Sequence, residues 1–176
     1  TELGIRYNLS SFRFYAAYFD RRADNLIDYV KSLADAPWEA TNLQTLDSRG
    51  FETEISLPFT WNKQPQNFQI GYTYLTDDLR AVAINFSRYS INSLKHHFTA
   101  AYRAQISTAI QLFLGVKYGQ RAQQKSYTVV DTNAIWKLKS FQFQAAVYNL
   151  LNQAYSETNL VPMPGRNASV AIRYTF

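Results

Sequence analysis

Along most of this chain, residues two apart are alike and adjacent residues are opposites. At the C-terminus Ala168, Val170, Ile172, Tyr174 and Phe176 form one set, and Asn167, Ser169, Ala171, Arg173 and Thr175 the other. Over 51–61, Phe51, Thr53, Ile55, Leu57, Phe59 and Trp61 oppose Glu52, Glu54 and Ser56. Over 68–74, Phe68, Ile70, Tyr72 and Tyr74 oppose Gln69, Gly71 and Thr73. The same beat runs through 110–118, where Ile110, Leu112, Leu114, Val116 and Tyr118 oppose Gln111, Gly115 and Lys117, and Phe113 is the exception. It returns over 141–147, with Phe141, Phe143, Ala145 and Val147 against Gln142, Gln144 and Ala146. Side chains of an extended chain point to alternate faces, so a period of two means strands with one oily and one wet face.

Nine such strands follow, at about 2–8, 12–29, 43–61, 67–76, 93–104, 109–119, 126–139, 141–151 and 167–176. The links between them are short near 8–11, 62–66, 104–108 and 138–141, and long near 30–44, 76–92, 119–126 and 152–166. In order they run short, long, short, long. An antiparallel up-and-down meander produces that pattern when all short turns lie at one end and all long loops at the other, as in outer-membrane barrels. The fold class expected is therefore all-β. In a soluble barrel the oily face would line the interior, and in a membrane barrel it would face lipid. Strands of about ten residues suit a tilted crossing of the hydrocarbon. Trp61, Tyr74, Tyr118, Trp136, Tyr174 and Phe176 sit toward the ends of the oily faces, where amphipathic rings meet head groups. On this reading Phe68, Ile70, Leu112, Leu114, Val170 and Ile172 touch lipid, and Gln69, Gln111 and Ser169 face an aqueous bore. A soluble carrier with an apolar interior is the inverse alternative, favoured if the protein dissolves without detergent.

Composition agrees. Apolar residues make up 47%, yet mean hydropathy is −0.30, so they are dispersed rather than blocked. No run of about 18 apolar residues exists, so no helix spans a bilayer. Charge is low at 18% and aromatics high at 16%, as an apolar wall with aromatic girdles requires. The net charge of +5 is spread over single Lys and Arg residues and the pair Arg21–Arg22. With no basic run and no nucleic-acid motif, it suits a barrel rim beside anionic head groups, and no nucleic acid is expected as a partner. Cysteine is absent, which removes thiol chemistry. Nine is an odd number, and an unclosed sheet cannot leave two edges in lipid. The chain begins at Thr1, its one methionine is Met163, and it opens on no leader segment. The expectation is the C-terminal part of a larger barrel, residues 1–176, whose start lies upstream. A small self-contained barrel of eight or ten strands, acting as an adhesin or structural anchor, is the alternative.

Particular stretches then look familiar. Asn149-Leu150-Leu151-Asn152-Gln153-Ala154-Tyr155, then Pro162-Met163-Pro164-Gly165-Arg166-Asn167, then alternation to Phe176, resembles the final hairpin of TonB-dependent receptors. Leu151 and Asn152 stand where that family commonly has Phe and Asp. Upstream, Asp24-Asn25-Leu26-Ile27-Asp28-Tyr29-Val30, Trp38-Glu39-Ala40-Thr41-Asn42 and Arg49-Gly50-Phe51-Glu52 are similar to further stretches of such receptors, cobalamin-receptor-like members from Bacteroidetes above all. The resemblance implies roughly the last nine of about 22 strands, with an N-terminal plug and the TonB-contacting segment outside this chain. It implies an outer-membrane receptor for a scarce nutrient of the cobalamin or ferric siderophore class. Its partners would be the TonB complex, the nutrient, lipopolysaccharide and outer-membrane lipid, and the rest of the barrel. Ile172, Tyr174 and Phe176 would form the signal read by the barrel-assembly machinery.

Candidate chemistry is sparse. His96 and His97 are adjacent, point to opposite faces of a strand and cannot share a metal. Glu52 and Glu54 share the wet face, where ion pairs with Arg or Lys of neighbouring strands outweigh a catalytic pair. No nucleophile motif or phosphate-cradling loop appears, so no enzyme and no cofactor are expected. Ligand contacts are expected in the long loops, with Tyr29, Trp38 and Asn42 in one and Asp77, Asp78 and Arg80 in the next. Two adjacent carboxylates fall far short of a calcium site. Gly50, at a loop-to-strand junction, is expected to form a bulge or to allow close backbone approach, and Gly165 to turn the chain back into the sheet.

Overall fold

The computed structural model describes residues 1–80, 85–87, 93–121, 124–157 and 161–176. Its strands are β1 (Glu2–Asn8), β2 (Arg13–Lys31), β3 (Glu39–Trp61), β4 (Gln64–Arg80), β5 (Phe86–Ser87), β6 (Leu94–Gln105), β7 (Ile110–Arg121), β8 (Tyr127–Leu138), β9 (Phe141–Tyr148) and β10 (Asn167–Tyr174). Each of the nine long strands pairs antiparallel with its neighbours in chain order, as the alternation of short and long links predicts. The two-residue β5 lies off that path and pairs with β2 at Val30 and Lys31. The sheet is open, with β1 and β10 at its edges.

Strand limits differ from expectation most at both ends of β4 and at the start of β3; β2, β3 and β4 run 19, 23 and 17 residues. The β3–β4 link is a two-residue turn at Asn62 and Lys63, with φ of 49° and 60°. Two left-handed residues give the type I′ geometry whose twist matches that of the flanking strands. Pro65, read as part of a longer link, is instead inside β4 opposite Thr60, beyond the last β4–β6 pair at Gln66 and Ala104.

Register partners share a face, so the ladder assigns every side chain. One face carries Ile5, Ala16, Thr53, Tyr72, Phe98, Tyr118 and Thr128 in neighbouring rows, with Val170, Ile172 and Tyr174 at the far edge. It is uncovered: Leu114 is 46% exposed and Val170 79%. The other face carries Tyr15, Glu54, Gly71, Thr99, Lys117 and Val129, and holds the buried Ala17, Phe19, Tyr127, Val129 and Ala146. The segment after β9 lies against this polar face, with Tyr155 on Tyr127. An oily face left bare and a polar face carrying a chain segment is the polarity of a membrane barrel, not of a soluble carrier.

Candidate functional site

The oily face marks its own limits. Tyr18, Phe51, Tyr74 and His96 are successive register partners on β2, β3, β4 and β6. Phe51 lies 5.8 Å from Tyr74 and Tyr74 lies 5.1 Å from His96, ring to ring, while the Tyr72 hydroxyl is 2.8 Å from Nδ1 of His96. At the short-turn end Trp136 stacks on Phe143 at 5.4 Å, and Phe141, Tyr174 and Phe176 form a chain with centroids 4.9 Å apart. Between the two girdles β3 runs from Phe51 to Trp61, matching the roughly 9–11 residues of a tilted crossing. Beyond the upper girdle the same face turns ionic. The next rows are Asp20–Arg49–Thr76, Arg22–Asp47–Asp78 and Asp24–Thr45–Arg80. Arg49 pairs with Asp20 at 3.0 Å and Arg22 with Asp24 at 3.1 Å. The hydroxyl of Thr45 donates to Asp24 at 2.9 Å. That bond, then the Arg22 guanidinium, holds the Asp24 carboxyl below its ordinary range.

The outer parts of β2, β3 and β4 therefore stand above the oily band as a protruding sheet, and this corrects the placement of the ligand candidates. Tyr29 lies in β2 opposite Ala40, and Asn42 in β3 opposite Ile27, so the two share one face. Asp77 and Asp78 lie in β4 on opposite faces; Asp77 accepts a hydrogen bond from Ser48 at 2.6 Å. Arg80 follows opposite Thr45, and its side chain lies outside what the structure describes. Only Trp38 is in a loop. The ammonium of Lys31 sits 5.0 Å from its ring and 5.4 Å from that of Phe86, so the hairpin tip and β5 close on a shared cation. Asp28, 1% exposed, accepts hydrogen bonds from the Ser87 hydroxyl and the Tyr29 N–H. Asn42, Asp77, Asp78 and Arg80 read as loop because the alternation of oily and polar residues ends above the girdle, whereas Tyr29 already fell at the end of the expected strand 12–29.

On the polar face, Glu52 accepts from the Tyr15 hydroxyl at 2.8 Å, and the Arg6 guanidinium lies 5.4 Å from that ring. Neither Glu52 nor Glu54 forms an ion pair among the described residues, contrary to the expectation. Glu54 instead lines a concavity with Arg6, Asn8 and Arg13. His97 faces this side and His96 the other, so the pair is split as expected.

The segment after β9 is built by its asparagines. Asn149 is 2% exposed with φ of 50°. Its side chain donates to the carbonyls of Gln153 and Pro164 at 2.9 and 3.1 Å, and accepts from the Gln153 N–H at 2.9 Å. Asn152, with φ of 53°, accepts from the Arg166 N–H at 2.9 Å. Gly165, expected to turn the chain back into the sheet, has no left-handed φ; the left-handed residues of this segment are Asn149 and Asn152. The segment so shaped lays Tyr155 against Tyr127, ring centroids 4.8 Å apart, and pairs Glu157 with Lys117 of β7. Burial raises the Tyr155 phenol above its usual pKa. Sequence reasoning missed this cluster. Its one visible signal is Lys117, the cation on the wet face of an otherwise regular strand.

Residues 1–150 match the family model described as TonB dependent receptor-like, beta-barrel. Among solved structures, the FrpB iron transporter from Neisseria meningitidis (F3-3 variant) superposes with a TM-score of 0.74 at 18% identity, over 99% of this chain and 30% of that one. The siderophore receptor PiuA from Acinetobacter baumannii gives 0.73 at 19% identity, over 98% of this chain and 28% of that one. The copper transporter OprC gives 0.73 at 14% identity, over 99% and 30%. The chain thus spans about a third or less of the length of these structures. No curated protein sequence matches it.

Proposed function

This chain belongs to the TonB-dependent receptor-like β-barrel family, and on that premise we propose that it is the C-terminal wall and mouth of an outer-membrane receptor that imports a scarce metal chelate. The carrying observation is the division of one sheet into three zones: an oily band between two aromatic girdles, a polar bore face, and an ionic sheet raised above the outer girdle. Such a sheet offers cargo an aqueous approach and a polar passage while sealing the membrane around it. The cargoes named for the similar structures are iron, copper and siderophores, which supports the ferric-siderophore half of the expectation and lends nothing to cobalamin. A plug in the bore and the TonB contact belong to the upstream part of the same receptor. TonB draws on the inner-membrane proton gradient to move the plug; the barrel wall performs no covalent chemistry. Tyr29 and Asn42, together on one face of the raised sheet, are the first cargo contacts. Ile172, Tyr174 and Phe176, on the oily face of the edge strand, serve barrel assembly.

The test is uptake by the whole receptor in cells lacking other receptors of its class. Radiolabelled iron offered as ferric siderophores should enter, and entry should cease when the proton gradient is dissipated. Uptake of labelled cobalamin with none of iron would overturn the cargo class; uptake insensitive to the gradient would overturn the coupling.

A further inference from the structure

The ion pair between Lys117 and Glu157 differs from every other described one. The others join strand residues to strand residues; this one joins the bore wall to the segment after β9. Both side chains remain about one-third open, at 33% and 30%. The Lys117 ammonium also lies 5.5 Å from the ring centre of Tyr155, which packs at a tilt against the buried Tyr127. Tyr127 in turn occupies the space above Gly119, where a Cβ would meet its ring at 2.5 Å. A cation is thus set against the Tyr155 ring, itself backed by Tyr127, on the bore face, with the chain's own carboxylate as its counter-ion.

We propose that Lys117, Tyr127 and Tyr155 form a contact site for multiply anionic chelates in which Glu157 is a resident stand-in for the cargo's anionic group. Cargo exchanges with Glu157 at Lys117 and releases the segment 149–157 from the wall. This rests on the transport reading and names the charge class of the cargo. The exchange is physically cheap. A partly exposed ion pair is weak, because water screens it and two side chains must be held still. An incoming polyanion brings more than one charge to the same ammonium, and its apolar parts gain the ring faces. The Tyr155 phenol is protonated at neutral pH and can donate a hydrogen bond to an oxyanion.

Citrate is the probe, used on the full-length receptor in detergent, with sodium chloride at equal ionic strength as the control. Amide hydrogen exchange across 149–157 should quicken saturably with citrate and not with chloride. In Glu157→Gln the segment should exchange fast without citrate, and citrate should bind about tenfold more tightly because its competitor is gone. Lys117→Gln should exchange fast and ignore citrate, while Lys117→Arg should keep the wild-type response and shows that the position tolerates change. Wild-type exchange indifferent to citrate, or Glu157→Gln binding citrate no better than wild type, would sink the proposal. These readouts are independent of uptake. A citrate response without iron import would leave the site standing and remove the transport reading, and import without the response would do the reverse.

Discussion

Gly50 has no room for a side chain. A Cβ there would come within 2.6 Å of the Phe19 ring, the register partner that lies across it on the bore face. Of the two roles the sequence allowed, bulge or close approach, the unbroken pairing on both sides leaves only the second. Gly50→Ala should therefore cost about 1–3 kcal/mol by overpacking, read from denaturant titration of the folded receptor. The nearest atom is the Tyr74 carbonyl oxygen, 2.1 Å from that Cβ, so a cost near zero would mean that the backbone as well as the Phe19 ring gives way. Asp24 makes a different residue-scale prediction. Its folded pKa lies below the ordinary 3.8, so the unfolded state binds protons first as pH falls. Its contribution is complete above 3.8 and is lost as pH falls through the lower folded value. Protease nicking of the raised β2–β3 hairpin should thus rise in that acid window in the wild type. In Asp24→Asn the hairpin should already be more susceptible at neutral pH, and this part of the pH dependence should be gone. An Asp24→Asn profile superposable on the wild type would show that Thr45 and Arg22 do not depend on the charge.

At the scale of elements, left-handed backbone at side-chain-bearing residues falls at Asn25 within β2, at the tight turns and in the segment after β9. Lys63 holds a φ of 60° that costs a side-chain-bearing residue about 1–2 kcal/mol and glycine almost nothing. Lys63→Gly should stabilise the β3–β4 hairpin by about 1 kcal/mol, seen as a higher denaturation midpoint at unchanged slope. Asn149 combines strain with bonding, so two substitutions separate the contributions. Asn149→Gly keeps the backbone free but deletes three hydrogen bonds, and should cost about 1–3 kcal/mol; Asn149→Ala should cost about 1–2 more. Equal costs would mean the left-handed backbone relaxes. The strands between the girdles were legible because lipid on one side and water on the other force a period of two. The outer end of β4 was not, since Asp78, in a row with Arg22 and Asp47, stands on a face that has left the lipid. The Lys117–Glu157 pair was beyond reach for another reason. Its partners are brought together by the asparagine-shaped turn, and nothing in their spacing announces it.

For the whole molecule, the governing claim is that one face meets hydrocarbon over a limited height. The strand β4 tests it internally, because three of its residues sample three environments. Ile70 lies on the oily face two rows below Tyr74, Thr73 on the bore face opposite Glu52, and Thr76 on the oily side one row above the girdle. Arginine at Ile70 puts a charge near the bilayer midplane and should cost about 2–4 kcal/mol in the full-length receptor folded into vesicles. At Thr73 it meets water and the Glu52 carboxylate, and at Thr76 it joins a row that already holds Arg49 and Asp20, so each should cost no more than about 1 kcal/mol. A large cost at Thr73 and a small one at Ile70 would invert the barrel. A large cost at Thr76 would move the membrane boundary outward and return Asp20 and Arg49 to the lipid, where a salt bridge open to the surroundings on both sides could not be sustained.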